Sequence, residues 1–433
     1  MILHRRWLMS ISIFFNSVVF TPVYAQETLW NALTTGHFDW FFRYRYEQVD
    51  DGTPNLASAY AQTLRSAIGY RSNSYRQFDA YLQVENVLAL GDDSLYNDGG
   101  SNGVNNRAVV VDPEGTELQQ GYLRFSGLPK TLLTVGRQEI THRPAPLHRY
   151  VGNILWRQNW QSFDAVRAVN LSIPHTLIDY AYVWQVNRIF GSDNPRPDVA
   201  RFQMNSHFLN IQYSGLSAAK LEAYGYWLEF TTPVSAKFST ATYGLRVSGD
   251  KVIAPKTKWL YAGEYAKQLD FANNPYAIGA DYWLAELGLN YTFDGLVQNA
   301  GLKLSTEYLT GQGGVNAFQT PLGTNHAFQG FADRFLVTPG DGIADYFATL
   351  QLKFASETQL SVVYHQFHAE HDHYHYGDEV DLVLEHPLSE HLIAGCKWAD
   401  YRADGNTLNQ SRNLASGQAF DLSKFWLYLQ FSL

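Results

Sequence analysis

The sequence predicts an all-β fold, a transmembrane antiparallel β-barrel of about 18 strands, on three observations. The closing segment 425–433 (FWLYLQFSL) carries a large apolar residue at every second position, with Tyr428, Gln430 and Ser432 between them. Aromatic residues make up 15% of the chain, an excess typical of barrels with aromatic belts at both membrane interfaces. Alternating segments separated by turn residues recur along the chain, and their connections alternate between long and short.

The first 25 residues have the form of a secretory signal peptide. An apolar stretch at 7–20 follows Arg5 and Arg6, and cleavage is predicted after Ala25. The alternative, an N-terminal membrane anchor, is disfavoured because polar residues interrupt a core that is already short for a bilayer. Residues 26–433 are then expected to form a single outer-membrane barrel domain, located in the outer membrane of a Gram-negative cell.

Composition limits the remaining possibilities. Cys396 is the sole cysteine, so an intrachain disulfide is impossible. Loss of Arg5 and Arg6 with the signal peptide leaves 30 basic and 41 acidic residues, a net charge of −11. This acidic balance disfavours nucleic acid as a partner.

Eighteen candidate strands of the usual transmembrane length follow one another along the mature chain. They lie at 38–49, 61–72, 77–90, 115–126, 131–142, 161–172, 176–188, 205–214, 219–230, 240–248, 257–269, 280–293, 299–310, 345–355, 358–369, 378–386, 390–402 and 419–433. With the N-terminus in the periplasm, the odd-numbered connections are long extracellular loops. The even-numbered connections are short periplasmic turns, as outer-membrane barrels have them.

Charged side chains indicate which face of a strand lines the lumen. In the first strand Arg43 and Arg45 alternate with aromatic residues, and lipid cannot hydrate a guanidinium group. We therefore expect the arginines to face the lumen. Leu302 and Leu304 are expected to face lipid for the converse reason.

The lumen of such a barrel is wide enough for water unless loops fold into it. The first strand begins about twelve residues after the predicted cleavage site, which leaves no room for an N-terminal plug domain. We expect one of the long loops to constrict the channel, and the candidates are 91–114, 143–160 and 311–344.

Five stretches of this chain are similar to the alginate export family of outer-membrane barrels. They are LQVENVLALGDD (82–93), DPEGTELQQGYL (112–123), VGRQ (135–138), VGNILWRQNWQSFDAVR (151–167) and YVWQVNRIFG (182–191). The resemblance implies a channel for an anionic polysaccharide such as alginate, or for a small organic anion, with an arginine-rich lumen.

Guanidinium groups suit such a path because they bind carboxylates bidentately and stay charged. The predicted pore-lining residues are Arg43, Arg45, Arg65, Arg124, Arg137, Trp156, Arg157, Trp160, Asp164, Arg167 and Arg188, with Arg71 and Arg246 in the wider arginine set. Two alternatives stay open. The arginines could pair with acidic residues across strands as wall supports, and the tryptophans could belong to an interfacial belt.

Two further motifs could bind metal. His371, His373 and His375 alternate and would share one face of an extended segment, which suits Zn²⁺ or Cu²⁺. The loop 91–103 is rich in Asp, Asn and Gly and could bind Ca²⁺, but it lacks EF-hand spacing. Solvated polar loops are the competing interpretation of both, and we predict no metal and no cofactor.

The function predicted from these observations is passive diffusion through a monomeric, non-enzymatic channel. The expected partners are outer-membrane lipid and lipopolysaccharide, an anionic polysaccharide or organic-acid solute, and a periplasmic export or uptake component. Two other classes remain: a barrel enzyme such as a surface lipase or protease, for which no Ser/His spacing stands out, and a closed-pore adhesin or receptor.

Overall fold

The computed structural model describes residues 28–433. The predicted signal peptide, residues 1–25, lies outside this range. The described residues form one 18-stranded antiparallel sheet, which closes because β1 pairs with both β2 and β18. The predicted barrel is therefore confirmed in class, strand number and closure.

The strand bounds agree with the predicted ones to within a few residues. The strands are β1 (His37–Asp51), β2 (Ala59–Arg71), β3 (Phe78–Ala89), β4 (Gly115–Leu128), β5 (Thr131–Gln138), β6 (Ser162–Asn170), β7 (Thr176–Asn187), β8 (Arg201–Tyr213), β9 (Lys220–Leu228), β10 (Thr240–Ala254), β11 (Thr257–Asp270), β12 (Gly279–Thr292), β13 (Val297–Thr310), β14 (Gly342–Phe354), β15 (Gln359–His368), β16 (His375–Pro387), β17 (Leu392–Ala403) and β18 (Leu422–Ser432). The largest differences are that β10 runs six residues further than predicted, that β5 ends four residues earlier and that β8 begins four residues earlier.

Helices are few and short. They are α1 (Leu29–Thr34), α2 (Pro197–Ala200) and α3 (Thr407–Asn413). No helix among residues 28–433 is long and apolar enough to cross a membrane.

The connections alternate in length as predicted. The long loops, all at the extracellular end, are L1 (52–58), L2 (90–114), L3 (139–161), L4 (188–200), L5 (229–239), L6 (271–278), L7 (311–341), L8 (369–374) and L9 (404–421). The connections at the other end are turns of two to six residues. L3 and L7 are long enough to reach across the lumen.

The two faces of the wall separate by chemistry, as period-two alternation requires. Arg43 and Arg45 on β1 face the lumen and are only 7% and 4% exposed. Leu302 and Leu304 on β13 face outward and are 54% and 62% exposed. The wall thus presents apolar side chains to lipid and polar ones to the interior.

The face assignment predicts how β13 tolerates charge. Replacement of Leu304 by Arg places a guanidinium in the apolar band, and we expect the free energy of unfolding to fall by about 2–4 kcal/mol. Lys303→Ala, one residue away on the lumen side, is the matched control and should cost much less. Urea unfolding in lipid vesicles measures both, and equal losses would contradict the assignment.

Candidate functional site

L3 enters the barrel and binds the inner face of β1 and β2. The Arg43 guanidinium donates to the carbonyl oxygen of Leu155 at 2.8 Å and also to that of Arg157. Arg45 donates to the carbonyl oxygen of Trp156, and Arg65 to that of Gln158 at 2.5 Å. Three lumenal arginines therefore hold consecutive carbonyl groups of one loop against the wall.

Gln158 is the centre of this attachment and has no exposed surface. Its Oε1 accepts from Arg43 Nε at 2.9 Å, and its Nε2 donates to the Thr63 hydroxyl at 3.0 Å. Its backbone N–H donates to Asp112 of L2 at 2.9 Å. Since its side-chain oxygen and amide nitrogen both bind the wall, Gln158 determines the position of the loop.

Acidic residues compensate the buried arginines. Asp112 is ion-paired with Arg45, Glu47 lies 3.1 Å from Arg157, and Glu85 pairs with Arg65. Burial alone would raise the pKa of Asp112, but the guanidinium groups of Arg45 and Arg157 outweigh it and hold the pKa below its usual value. The carboxylate therefore stays charged and holds L2 to L3.

The two predicted tryptophans pack within the lumen and not in an interfacial belt. The Trp160 ring lies 3.7 Å from the Arg65 guanidinium carbon and 5.0 Å, edge-on, from Phe41. Trp156 is covered by Arg157 at 3.8 Å and stacks on His326 of L7 at 3.7 Å. Both rings thus serve as cation–π and stacking partners inside the constriction.

The first half of L3 reaches the opposite wall. Arg143 donates to Glu222 of β9 at 3.1 Å and to Glu264 of β11 at 2.7 Å. Arg149 lies 3.1 Å from Glu307 of β13. Because L3 contacts the wall at both β1 and β13, it spans the lumen.

L7 packs on L3 and completes the constriction. The N–H of Gly152 donates to Leu322 O at 2.9 Å, and the N–H of Thr324 donates to His148 O at 2.8 Å. L7 then reaches β18, where Asp333 pairs with Lys424 at 2.7 Å, and β1, where Arg334 pairs with Asp51 at 2.8 Å. One long loop was expected to constrict the channel, and two of the three candidates, 143–160 and 311–344, fold into the lumen.

His326 is a neutral imidazole held by hydrogen bonds at the junction of L3 and L7. Its Nε2 lies 2.5 Å from the Lys397 ammonium, which can only donate, so Nδ1 carries the proton and donates to Asp333 at 2.8 Å. Burial, chiefly, and the nearby lysines lower the pKa of His326 to about 3, although Asp333 opposes the shift. The Trp156–His326 stack therefore forms with an uncharged ring.

A second group of charges lines the lumen nearer the periplasm. Arg124 Nε donates to Asp79 at 2.8 Å, and Arg71 lies 3.5 Å from the same carboxylate. Arg167 forms a bidentate pair with Asp179 at 2.9 and 2.5 Å. Arg124 and Arg167 share one register level, since each pairs with Thr134 of β5.

Arg137 and Asp164 lie elsewhere than predicted. They form an ion pair at 2.7 Å, but they lie on the same face of the sheet as the outward-facing Val135 and Val166. Asp164 also accepts a hydrogen bond from Gln185, and Gln185 accepts one from the exposed, outward-facing Gln203. They therefore lie on the outer surface, not in the lumen. They sit near the extracellular ends of β5 and β6, where headgroups and water tolerate charge.

Arg188 lies in L4, away from the constriction. Its guanidinium donates to Val199 O at 3.0 Å and lies 4.0 Å from the Phe202 ring. Burial lowers its pKa to about 10, although Asp198 opposes the shift. It therefore supports the rim of the barrel.

Sequence reasoning missed Asp112, Arg143, Arg149, Gln158 and His326 as members of the site. All five lie in loops that the sequence predicted as candidates for the constriction, but no local pattern singled them out, because their partners lie far along the chain. Arg43 and Gln158, for example, are 115 positions apart.

The predicted extended histidine segment is not observed. Asp372 and His373 have φ values of 63° and 53° within L8, so the chain turns there and the three imidazoles do not share one face. In the calcium candidate, Asp98 accepts from backbone N–H groups of its own loop. Across residues 28–433, no group of three His, Cys, Asp or Glu side chains is placed to hold a metal ion.

A cavity of about 760 Å³ opens between the end of L7 and L9. Asp333, Arg334, Asp341 and Arg412 are among its lining residues, two acids and two bases. Asp333 also binds His326, so this cavity adjoins the L3–L7 junction at the extracellular end.

Comparison with known proteins places this architecture among solved barrels. OccAB2 of Acinetobacter baumannii is 12% identical over 93% of this chain and 99% of that chain, with a TM-score of 0.69. OpdK of Pseudomonas aeruginosa, solved with vanillate, is 12% identical over 93% of this chain and 99% of that chain, with a TM-score of 0.66. OccK9 (OpdG) of the same organism is 12% identical over 93% of this chain and 99% of that chain, with a TM-score of 0.69. No family model and no curated protein matches the chain. At this identity the likeness shows the fold alone.

The predicted membership of the alginate export family is wrong. The similar structures are Occ/Opd outer-membrane porins, also 18-stranded barrels. The stretches that carried the resemblance are strand segments and adjoining loops, such as 82–93 and 151–167. Their alternating polarity follows from facing lipid on one side and water on the other, which different barrel families share.

The role of Gln158 predicts a stability effect. Gln158→Ala leaves the buried Arg43 Nε without its side-chain acceptor, and we expect a loss of about 1–3 kcal/mol with faster tryptic cleavage at Arg157. Gln48→Ala removes an amide from the outward face of β1 and is the control. Thermal unfolding and limited proteolysis measure both, and equal behaviour of the two variants would refute the attachment.

The pKa of His326 predicts an acid response. Because the folded value of about 3 lies below the ordinary 6.5, the junction is most stable above pH 6.5 and weakens as the pH falls towards 3. Single-channel currents should show more gating transitions at pH 4 than at pH 7. His326→Phe keeps a ring on Trp156 without a titrating group, so its acid response should be smaller.

That response should not vanish, because L3 carries two other histidines whose pKa burial lowers to about 4, His142 and His148. An unchanged response in His326→Phe would exclude His326 as its source.

Proposed function

We propose that this chain is an outer-membrane channel through which small organic anions diffuse. The barrel class supports a location in the outer membrane, with lipid and lipopolysaccharide around the wall. L3 and L7 narrow the lumen, which favours small solutes. The similarity to barrels such as OpdK, solved with vanillate, agrees with an organic-acid solute and with a channel that is not an enzyme.

One observation carries the anion preference. In the lumenal ion pairs nearer the periplasm, the base is more exposed than its acid. Arg71 and Asp79 are 33% and 4% exposed, Arg167 and Asp179 are 16% and 4%, and Lys303 and Glu286 are 31% and 13%. A solute in the lumen therefore meets cationic groups whose counter-charges lie in the wall.

This arrangement suits passage better than a single strong site. Each guanidinium is already partly neutralised, so its attraction for a carboxylate is weak, and several such groups lie in sequence. Arg124 and Arg167, on β4 and β6, lie roughly 10 Å apart by the usual strand spacing. A small anion can then move between neighbouring sites without being held at any of them.

The buried arginines at L3 have a different role in this proposal. Arg43, Arg45, Arg65 and Arg157 shape the constriction, because each of them donates to L3 carbonyl groups or pairs with an acid. Arg124 and Arg167, together with Arg71 and Lys303, are the proposed contacts for the solute.

The proposal predicts a change in ion selectivity. Arg124→Gln with Arg167→Gln removes two partly exposed cations from the lumen, each worth about 1 kcal/mol at hydrated contact distance, or about a fivefold change in local anion occupancy. Reversal potentials under a KCl gradient in planar bilayers should shift towards cations.

Arg137→Gln removes the same charge from the outer face and should leave the reversal potential unchanged. A wild-type channel that prefers cations, or a double variant that behaves as the wild type, would refute the proposal.

A further inference from the structure

The short helix α1 lies on the outer side of the barrel at its periplasmic rim. Tyr70 of β2 has the parity of the outward Tyr60, Leu64 and Ile68, with the inward Arg71 beside it. Its hydroxyl donates to Leu33 O at 2.7 Å and accepts from the N–H of Gly36 at 2.8 Å. The helix is thus attached to a residue of the membrane-facing surface.

A second attachment comes from the first periplasmic turn. The backbone N–H of Asn73 donates to Ala32 O at 2.9 Å, and its side-chain amide donates to Thr35 O at 2.6 Å. Ala32 is the one buried residue of the helix. These contacts hold α1 in one orientation against the rim.

In that orientation α1 exposes an apolar face. Leu29, Trp30 and Leu33 are 53%, 74% and 46% exposed, and their spacing puts them on one side of the helix. Asn31 lies on the other side. The first and last turns of α1 carry no charged side chain, so there is no electrostatic complement for a charged protein surface.

The exposed face is continuous with the lipid-facing aromatic surface of the wall. The Phe38 ring, 61% exposed, lies 4.7 Å from Tyr70 and 6.2 Å from Trp40. Tyrosine and tryptophan prefer the boundary between headgroups and acyl chains, and an apolar helix face beside them reaches the same layer.

We propose that α1 is an interfacial anchor, which inserts Leu29, Trp30 and Leu33 into the inner leaflet of the outer membrane and keeps Asn31 towards periplasmic water. The anchor fixes the periplasmic rim at the membrane boundary next to the seam where β1 closes on β18. It is independent of the solute that the channel carries.

The test uses nitroxide labels on the full mature chain in phospholipid vesicles. In a Cys396→Ser background, Trp30→Cys and Asn31→Cys are labelled separately, so the two positions differ only in the face of the helix. We expect the label at 30 to collide more with oxygen and less with a water-soluble nickel chelate than the label at 31.

Every other outcome overturns the anchor. Equal or greater nickel access at 30 would place the apolar face in water. Low access to both reagents would place it against protein, and spin–spin broadening between labelled chains would identify that protein as a second copy. Since conduction is not measured, loss of the proposed anion preference would not affect this result.

The native side chain gives a second readout. Brominated phosphatidylcholine quenches indole rings at the membrane boundary, so the tryptophan emission of wild-type protein should lose a quenchable component in Trp30→Phe. Trp156→Phe removes a ring from the lumen and is the control, with no change expected in the quenchable component. If Trp30→Phe leaves that component unchanged as well, the anchor is refuted.

Discussion

Buried guanidinium groups on β1 and β2 are the constraint on which the site depends. Arg43, Arg45 and Arg65 face inward because lipid cannot hydrate them, and each then needs acceptors in a confined space. The nearby acids satisfy only part of that demand. The backbone carbonyls of L3 accept hydrogen bonds from all three arginines, and these bonds bring the loop into the barrel and place Gln158 against the wall.

The positions of the other parts of the constriction follow from this attachment of L3. One side of L3 is bound to β1 and β2, and Arg143 and Arg149 bind the other side to the opposite wall. L7 then packs on the surface of L3. Below this double loop the lumen keeps its charges in a graded arrangement, with acids close to the strands and bases towards water. A wall built in this way can be locally neutral and still present cations to a passing solute.

Period-two alternation predicted the strands and most faces, but charge misassigned Arg137 and Asp164. The rule that a charged residue points into the lumen holds only within the hydrocarbon layer, and this pair lies near the extracellular ends of β5 and β6. Parity with Val135 and Val166 points outward and was the better guide. The resemblance to the alginate export family was misleading for a related reason, since short amphipathic stretches reflect the contact of a strand with lipid and water and not the solute that a channel carries.

By itself the sequence determined the closed 18-stranded barrel, the end that carries the long loops, and the lipid-facing surface, because strand polarity is a local pattern repeated at every second residue. Only the tertiary structure decided which arginines are covered by L3 and which reach water. That choice depends on partners such as Arg43 and Gln158, which are 115 positions apart. No local sequence pattern predicts such a pairing, since the two residues meet only when the sheet has closed and L3 has entered the lumen.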